Sequence, residues 1–316
     1  MAKHVIDTLR NTTLLAKTAG DTWVIAGGTG EINTANTAID ASGPAAGRQI
    51  IVNGTVFGDN VGILFGKANG DGGGDVTIGI NGEVGSNGEA IYAFGDGQTI
   101  TNKGTVYGVN GLHTRGKNTV VTNDGLIDTS NTGVTFEKGS GRLVNTGNIA
   151  SEGAVWAPDS SGGATNVLVI NSGNVTGTKV AIELVSDGRH EVRNTGTVSG
   201  DILMGDRVDI LKNGGSGVLK DGEIDLGGGN DRFFNKGDLL EKLSLGEGRD
   251  LADLRGSKTT GEIYGETGND TYLIDSAAMQ VFENVGEGRD TLKSTVNLSL
   301  SNNFHGEMEN LVGLGK

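Results

Sequence analysis

Leu143-Val144-Asn145-Thr146-Gly147-Asn148-Ile149 is followed by Val169-Ile170-Asn171-Ser172-Gly173-Asn174-Val175 and Val192-Arg193-Asn194-Thr195-Gly196-Thr197-Val198. Each phrase is an aliphatic strand end, Asn, a spacer, Gly, a spacer and a new aliphatic. It recurs at Asn53, Asn81, Asn102, Asn123, Asn145, Asn171, Asn194, Asn213 and Asn235, at steps of about 19–28 residues. A strand-like unit repeated at that period is the signature of a solenoid, in which each unit contacts only its neighbours.

Two further short apolar runs fill each period. One set includes Val61-Gly62-Ile63-Leu64-Phe65, Ala90-Ile91-Tyr92-Ala93-Phe94 and Val180-Ala181-Ile182-Glu183-Leu184; the other includes Val76-Thr77-Ile78 and Val167-Leu168-Val169. They are rich in Val, Ile and Thr and alternate loosely, as strands do. Gly, Asn and Asp punctuate them, and are expected to supply positive φ in tight turns. Three strands and three turns close one rung of a right-handed parallel β-helix, with rungs about 4.8 Å apart. The recurrent Asn is expected to stack on its own copies as a side-chain ladder.

Composition fits a narrow aliphatic core. Of 316 residues 57 are Gly and only 2 Pro, and aromatics make up 4%. Gly at this level without a three-residue period or Pro excludes collagen. The formal net charge of −14 argues against a nucleic-acid partner, since phosphate neutralisation needs clustered Lys and Arg. With no Cys, neither disulfides nor thiolate metal sites are available. No stretch approaches the roughly 18 apolar residues of a membrane span, and the first residues lack the apolar segment of a cleaved signal peptide.

From Leu226 the turns change. Gly227-Gly228-Gly229-Asn230-Asp231, Gly246-Glu247-Gly248-Arg249-Asp250, Gly265-Glu266-Thr267-Gly268-Asn269-Asp270 and Gly286-Glu287-Gly288-Arg289-Asp290 are each followed, within two residues, by an apolar side chain. In such turns Gly carbonyls and an Asp oxygen point at a hard cation, and calcium takes six to eight such oxygens. The set resembles the RTX (repeats-in-toxin) calcium-binding family, over roughly residues 222–316. Gly268-Asn269-Asp270-Thr271-Tyr272-Leu273-Ile274-Asp275 and the closing Met308-Glu309-Asn310-Leu311-Val312-Gly313-Leu314-Gly315 are especially similar.

The resemblance implies a calcium-binding β-roll with Ca2+ between stacked turns. Asp231, Asp250, Asp270 and Asp290 would be side-chain ligands, while Gly227, Gly229, Gly246, Gly248, Gly268, Gly286 and Gly288 would lend carbonyls or shape the turn. The family repeats every nine residues. Here successive Asp are 19 or 20 apart, which implies one calcium-type turn per coil. Leu226, Leu245 and Val285 stand where a first Gly is usual, and Glu266 where a second is. Asp71-Gly72-Gly73-Gly74-Asp75 and Gly205-Asp206-Arg207-Val208-Asp209 look like partial versions and read as solvated turns.

The expected organisation is a cap or exchanged arm over 1–47, a parallel β-helix over 48–221, and the RTX-like β-roll with a secretion and assembly segment over 222–316. Val296-Asn297-Leu298-Ser299-Leu300 and the apolar last residues leave no polar cap, and an unpaired edge invites a neighbour. The resemblance further implies type I secretion to the cell exterior or surface, without a cleaved leader.

The chain therefore reads as a secreted, self-assembling structural protein: a surface-layer, filament or adhesin-like matrix subunit, with cell-surface polysaccharide as a further partner. The rival is a β-helix lyase or epimerase acting on acidic polysaccharide. Its best patch is His113 and Arg115 with Tyr92 and Tyr107, two of them same-side strand neighbours. Pro158-Asp159 lacks a following His, and no convergent acid–base set stands out, so no catalytic residue is expected. Thr101 and Thr122 begin an ice-binding-like array, but Val144, Ile170 and Arg193 interrupt it.

Overall fold

The computed structural model describes residues 1–316 except 44–45, 67–71, 159–164, 299–303, 307 and 315–316. The described residues form strands and turns with no helix, so no helix is long and apolar enough to cross a membrane. The chain is a parallel β-solenoid. One face is a fifteen-stranded sheet running from Lys3–Ile6 to Asn310–Gly313, with one strand from each successive coil.

A coil is seen plainly at Thr99–Asn102 and Thr105–Arg115. The first strand pairs in register with Thr119–Asn123 of the next coil. The second is one long strand that bends round a corner and so serves two faces; its register slips by a residue between Gly108 and Asn110. Gly108 takes φ 123° there, a conformation closed to other residues at low cost. In the coils at either end these two faces separate into distinct strands, such as Thr55–Gly58 and Val61–Phe65.

Alternation along each strand sends every second side chain inward, and register then stacks like on like. Ile100, Val121, Leu143, Val169, Val192 and Leu211 form one fully buried column. Val106, Ile127, Ile149, Val175 and Val198 form a second, and Leu112, Val134, Val155, Ile182 and Ile202 a third. Each such burial contributes about 1.5–3 kcal/mol. It exists only because the coils above and below are present.

Within the segment 1–47, expected as a cap or arm, the strands from Lys3–Ile6 to Thr37–Ala41 belong to coils of the same solenoid. Lys3–Ile6 pairs with Thr22–Ile25, which pairs with Gln49–Val52. Thr22-Trp23-Val24-Ile25 buries Trp23 and Ile25 as later strands bury their aliphatics. The sheet also runs without a break from Ile210–Asn213 to Arg232–Asn235, across the expected boundary near residue 221.

The Asn ladder is real but shorter than the phrase count. Seven Asn, from Asn102 to Asn235, are buried and joined amide to amide. Each Nδ2 donates to the Oδ1 of the next: Asn102 to Asn123 at 2.8 Å, Asn145 to Asn171 at 2.8 Å, Asn213 to Asn235 at 2.9 Å. Asn53 and Asn81 are outside it. Their coils place Val52 and Ile78 in the ladder position, in register with Asn102, and Asn81 is exposed.

The Gly two residues after each ladder Asn does not have positive φ. In the regular Asn-x-Gly phrases it is required by close approach instead: a Cβ at Gly147 would lie 2.1 Å from the Gly125 carbonyl oxygen, and one at Gly173 would lie 2.1 Å from that of Gly147.

The ladder generates a prediction. Replacing Asn171 with Leu removes two ladder bonds at once, from Asn145 and to Asn194, leaving those amides only their backbone partners and costing about 1–3 kcal/mol. Asn102→Leu costs less, because its upper neighbour is already Ile78. Chemical denaturation of the two variants checks this; equal costs at the two positions would contradict it.

Candidate metal centre

Each Gly-rich turn ends where the first-face strand begins, and the Asp stands one residue before that strand. Register stacks these Asp into a second buried column. The backbone N–H of Asp231 donates to Asp250 Oδ1 at 2.6 Å, that of Asp250 to Asp270 Oδ1 at 2.8 Å, and that of Asp270 to Asp290 Oδ1 at 2.8 Å. All four side chains are buried. The structure thus brings together all four expected Asp, under the turns rather than out in solvent.

Above them lie the turns. Gly227, Gly246 and Gly286 have φ of 81°, 95° and 86°, and Glu266 occupies the corresponding conformation at 65°. Gly229, Gly248 and Gly268 lie at 134°, 144° and 156°. Gly288 has no positive φ. It is fixed by approach, since a Cβ would fall 1.3 Å from the Gly268 carbonyl oxygen. Gly248 meets the Gly229 oxygen in the same way, at 1.5 Å. Outside the turns is an open groove of about 1170 Å³, lined by Asp206, Asp225, Glu247 and Glu266 among others. The Asp column lies beneath it and does not line it.

Two members of the column are absent from the turn motif. Asp209, expected in a solvated turn, is fully buried, and its Oδ1 accepts the His190 N–H at 2.6 Å. Asp209 also donates its own N–H to Asp231 Oδ1 at 2.7 Å. Its other oxygen accepts from Gly205 N–H at 3.3 Å. The sequence signal for it is its distance of 22 residues from Asp231, the coil period. At the far end Glu309 accepts the Asp290 N–H at 2.6 Å. Of the other partial motif, Asp71 lies outside the described residues, as do Asp159, Ser299, Leu300 and Gly315.

The donor set fits a hard cation on one observation. The Oδ2 atoms of Asp231, Asp250 and Asp270 are buried and have no hydrogen-bond partner. A buried carboxylate with an unpaired oxygen is costly unless a cation completes it. Each divalent ion bound there would offset two of the column's carboxylate charges. Asp231, Asp250, Asp270 and Asp290 would hold it from below, and the turn carbonyls are the complementary oxygens.

The candidate enzyme patch has a different character. Tyr92, His113 and Arg115 do converge: His113 lies 2.8 Å from Glu137 Oε2 and 3.4 Å from Glu89 Oε1, and Arg115 bonds Glu137 at 2.9 Å and Tyr92 Oη at 3.2 Å. Tyr107 instead stacks on Phe57, at 6.3 Å. His113 and Arg115 share Glu137, while Arg115 Nε and Glu89 Oε2 are buried without a hydrogen-bond partner.

Burial pushes Asp231 up to about 8, Asp209 and Asp270 to about 7, and Asp250 to about 6. Unfolded Asp titrates near 3.9. The metal-free fold therefore binds more protons than the unfolded chain across the neutral range, and its stability falls as pH rises. Buried His190, held down at about 4, acts in the opposite sense only below its ordinary value near 6.5. Between pH 6.5 and 8 the carboxylates dominate. In chelator, the melting temperature is expected to drop over that window; scanning calorimetry showing a rise would contradict the burial.

Glu266 offers a second test. A non-Gly residue in the left-handed region costs roughly 1–2 kcal/mol. Glu266→Gly should stabilise the metal-free protein by about 1 kcal/mol, measured by urea unfolding. No family model, curated protein or solved structure matches this chain.

Proposed function

We propose that this is a calcium-stabilised extracellular structural protein, a subunit of a surface layer, filament or adhesive matrix, whose last coils are completed by Ca2+. The observation that carries the reading is the set of unpartnered, buried Asp oxygens beneath stacked Gly turns. Upstream, the Asn column meets the same stacking demand with neutral amides and needs no ion. Extracellular calcium sites work in the 10⁻⁴–10⁻³ M range, and without Cys the chain has no disulfide to serve instead. Export without a cleaved leader is what the RTX resemblance implies.

Self-assembly rests on the outer strands of the sheet. Val5 on Lys3–Ile6, and Leu311 and Val312 on Asn310–Gly313, are exposed apolar side chains beside strand edges that are unpaired among the described residues. Joining unlike edges gives a heterologous contact, which propagates unless it closes. Cell-surface polysaccharide is the second partner of this reading. Trp156 stands with Glu152, Lys179 and Glu183 in a groove of about 240 Å³, a ring face with polar groups beside it.

The enzyme reading retains one supporting observation, the His113–Glu137–Arg115–Tyr92 cluster. His113 and Arg115 both pair with Glu137, while Arg115 Nε and Glu89 Oε2 are buried without a hydrogen-bond partner.

The test is melting by circular dichroism, with electron microscopy and light scattering, in millimolar CaCl2 and in chelator. Calcium is expected to raise the melting temperature by several degrees and to promote assembly; Asp250→Asn should weaken both effects. Identical melting with and without calcium, and a monomer at high concentration, would overturn the proposal.

A further inference from the structure

The strand Gln280–Glu283 alternates so that Val281 and Glu283 both face inward. Glu283 is only 3% exposed. Register places it over Gly265, which in turn lies over Leu245. Two coils earlier, therefore, this core position holds a fully buried Leu, and at Glu283 it holds a carboxylate.

The surroundings are shaped for that carboxylate. A Cβ at Gly265 would come 2.1 Å from Tyr272 Oη and 2.2 Å from Glu283 Oε1, so the Gly clears the space where the two side chains meet. Tyr272 donates its hydroxyl to Glu283 Oε1. Carboxylate oxygens of Asp270, Glu283 and Asp290 lie within 4.8 Å of one another, all three residues buried. Two oxygens of the group, Asp270 Oδ2 and Glu283 Oε2, are buried without a hydrogen-bond partner. Three carboxylates converging in a dry interior repel one another and lack solvent. One divalent cation meets both costs and supplies the missing partner of each orphan oxygen.

We propose that Glu283 is a cation ligand, closing with Asp270 and Asp290 a site inside the coil that takes one Ca2+-like ion, with Tyr272 orienting the Glu283 carboxylate. The site draws its third ligand from an inward position on a strand rather than from a Gly turn. It rests on the reading of the Asp column as cation-binding and adds a ligand that the turn motif does not contain.

Titration calorimetry of the full chain with CaCl2 tests it, comparing wild type with Glu283→Gln and Glu283→Leu. Both variants should lose one ion per chain, or at least tenfold in the affinity of one site, while the remaining calcium binding persists. Glu283→Leu restores the side chain of the earlier coil, and in chelator it should melt above wild type. If calcium binds wild type and both variants alike, Glu283 is not a ligand and the column reading stands. If wild type takes up no calcium, both readings fail. Should Glu283→Leu not fold, the Glu283→Gln isotherm decides.

Discussion

Every coil of this molecule depends on a hydrogen bond it cannot make by itself. Rungs about 4.8 Å apart leave each inward polar group to be satisfied by the rung beside it. An Asn amide suits this demand because it carries donor and acceptor on one side chain. Asn123 accepts from Asn102 and donates to Asn145, so the column passes the bond along without accumulating charge. Asp carries acceptors alone. It accepts the N–H of the coil before it, and then one oxygen and one negative charge remain. The same geometry is therefore finished in one corner of the coil and unfinished in another, and the unfinished corner is where the proposed ion would act.

Glycine serves the same stacking. At Gly227 and Gly246 the turn needs a left-handed residue. At Gly147, Gly173 and Gly288 φ is ordinary, and the neighbouring coil's carbonyl occupies the place of a Cβ. The high Gly content thus reflects how tightly turns nest as much as how sharply they bend. That distinction matters for substitution: Ala at a turn position strains one residue, whereas Ala at a nesting position pries two coils apart.

The period, the parallel stacking and the core columns were legible because strand alternation and repeat spacing are both local signals. So was the convergence of Asp231, Asp250, Asp270 and Asp290, which share one motif and one step. Where sequence and structure part, register is the cause. Asn53 and Asn81 carry the same Asn-x-Gly-like phrase as the ladder, yet the strands before them end one residue or more earlier, so Val52 and Ile78 take the inward place. Asp209 sits in a partial version of the motif that reads as a solvated turn, and only its spacing from Asp231 marks it as a member of the column. Glu283 was accessible to alternation, since Val281 and Glu283 share a face, but a charged residue on a strand reads as solvated until the neighbouring coils show that its position is the core.

The junction between the two chemistries lies at His190 and Asp209. His190 accepts the Val167 N–H through Nδ1 at 3.3 Å and donates its own backbone N–H to Asp209. Burial keeps its ring neutral. Asp209 has both oxygens bonded, to His190 and to Gly205, so the first carboxylate of the column is complete without an ion. The deficit begins one coil later, at Asp231. In a solenoid, stability is carried by nearest-neighbour interfaces. Coils up to Asp209 can therefore fold on neutral ladders and aliphatic columns and present an ordered edge to the coils beyond. The last coils then add to a template already in register, and the proposed ion would hold what the template has aligned rather than organise the whole chain.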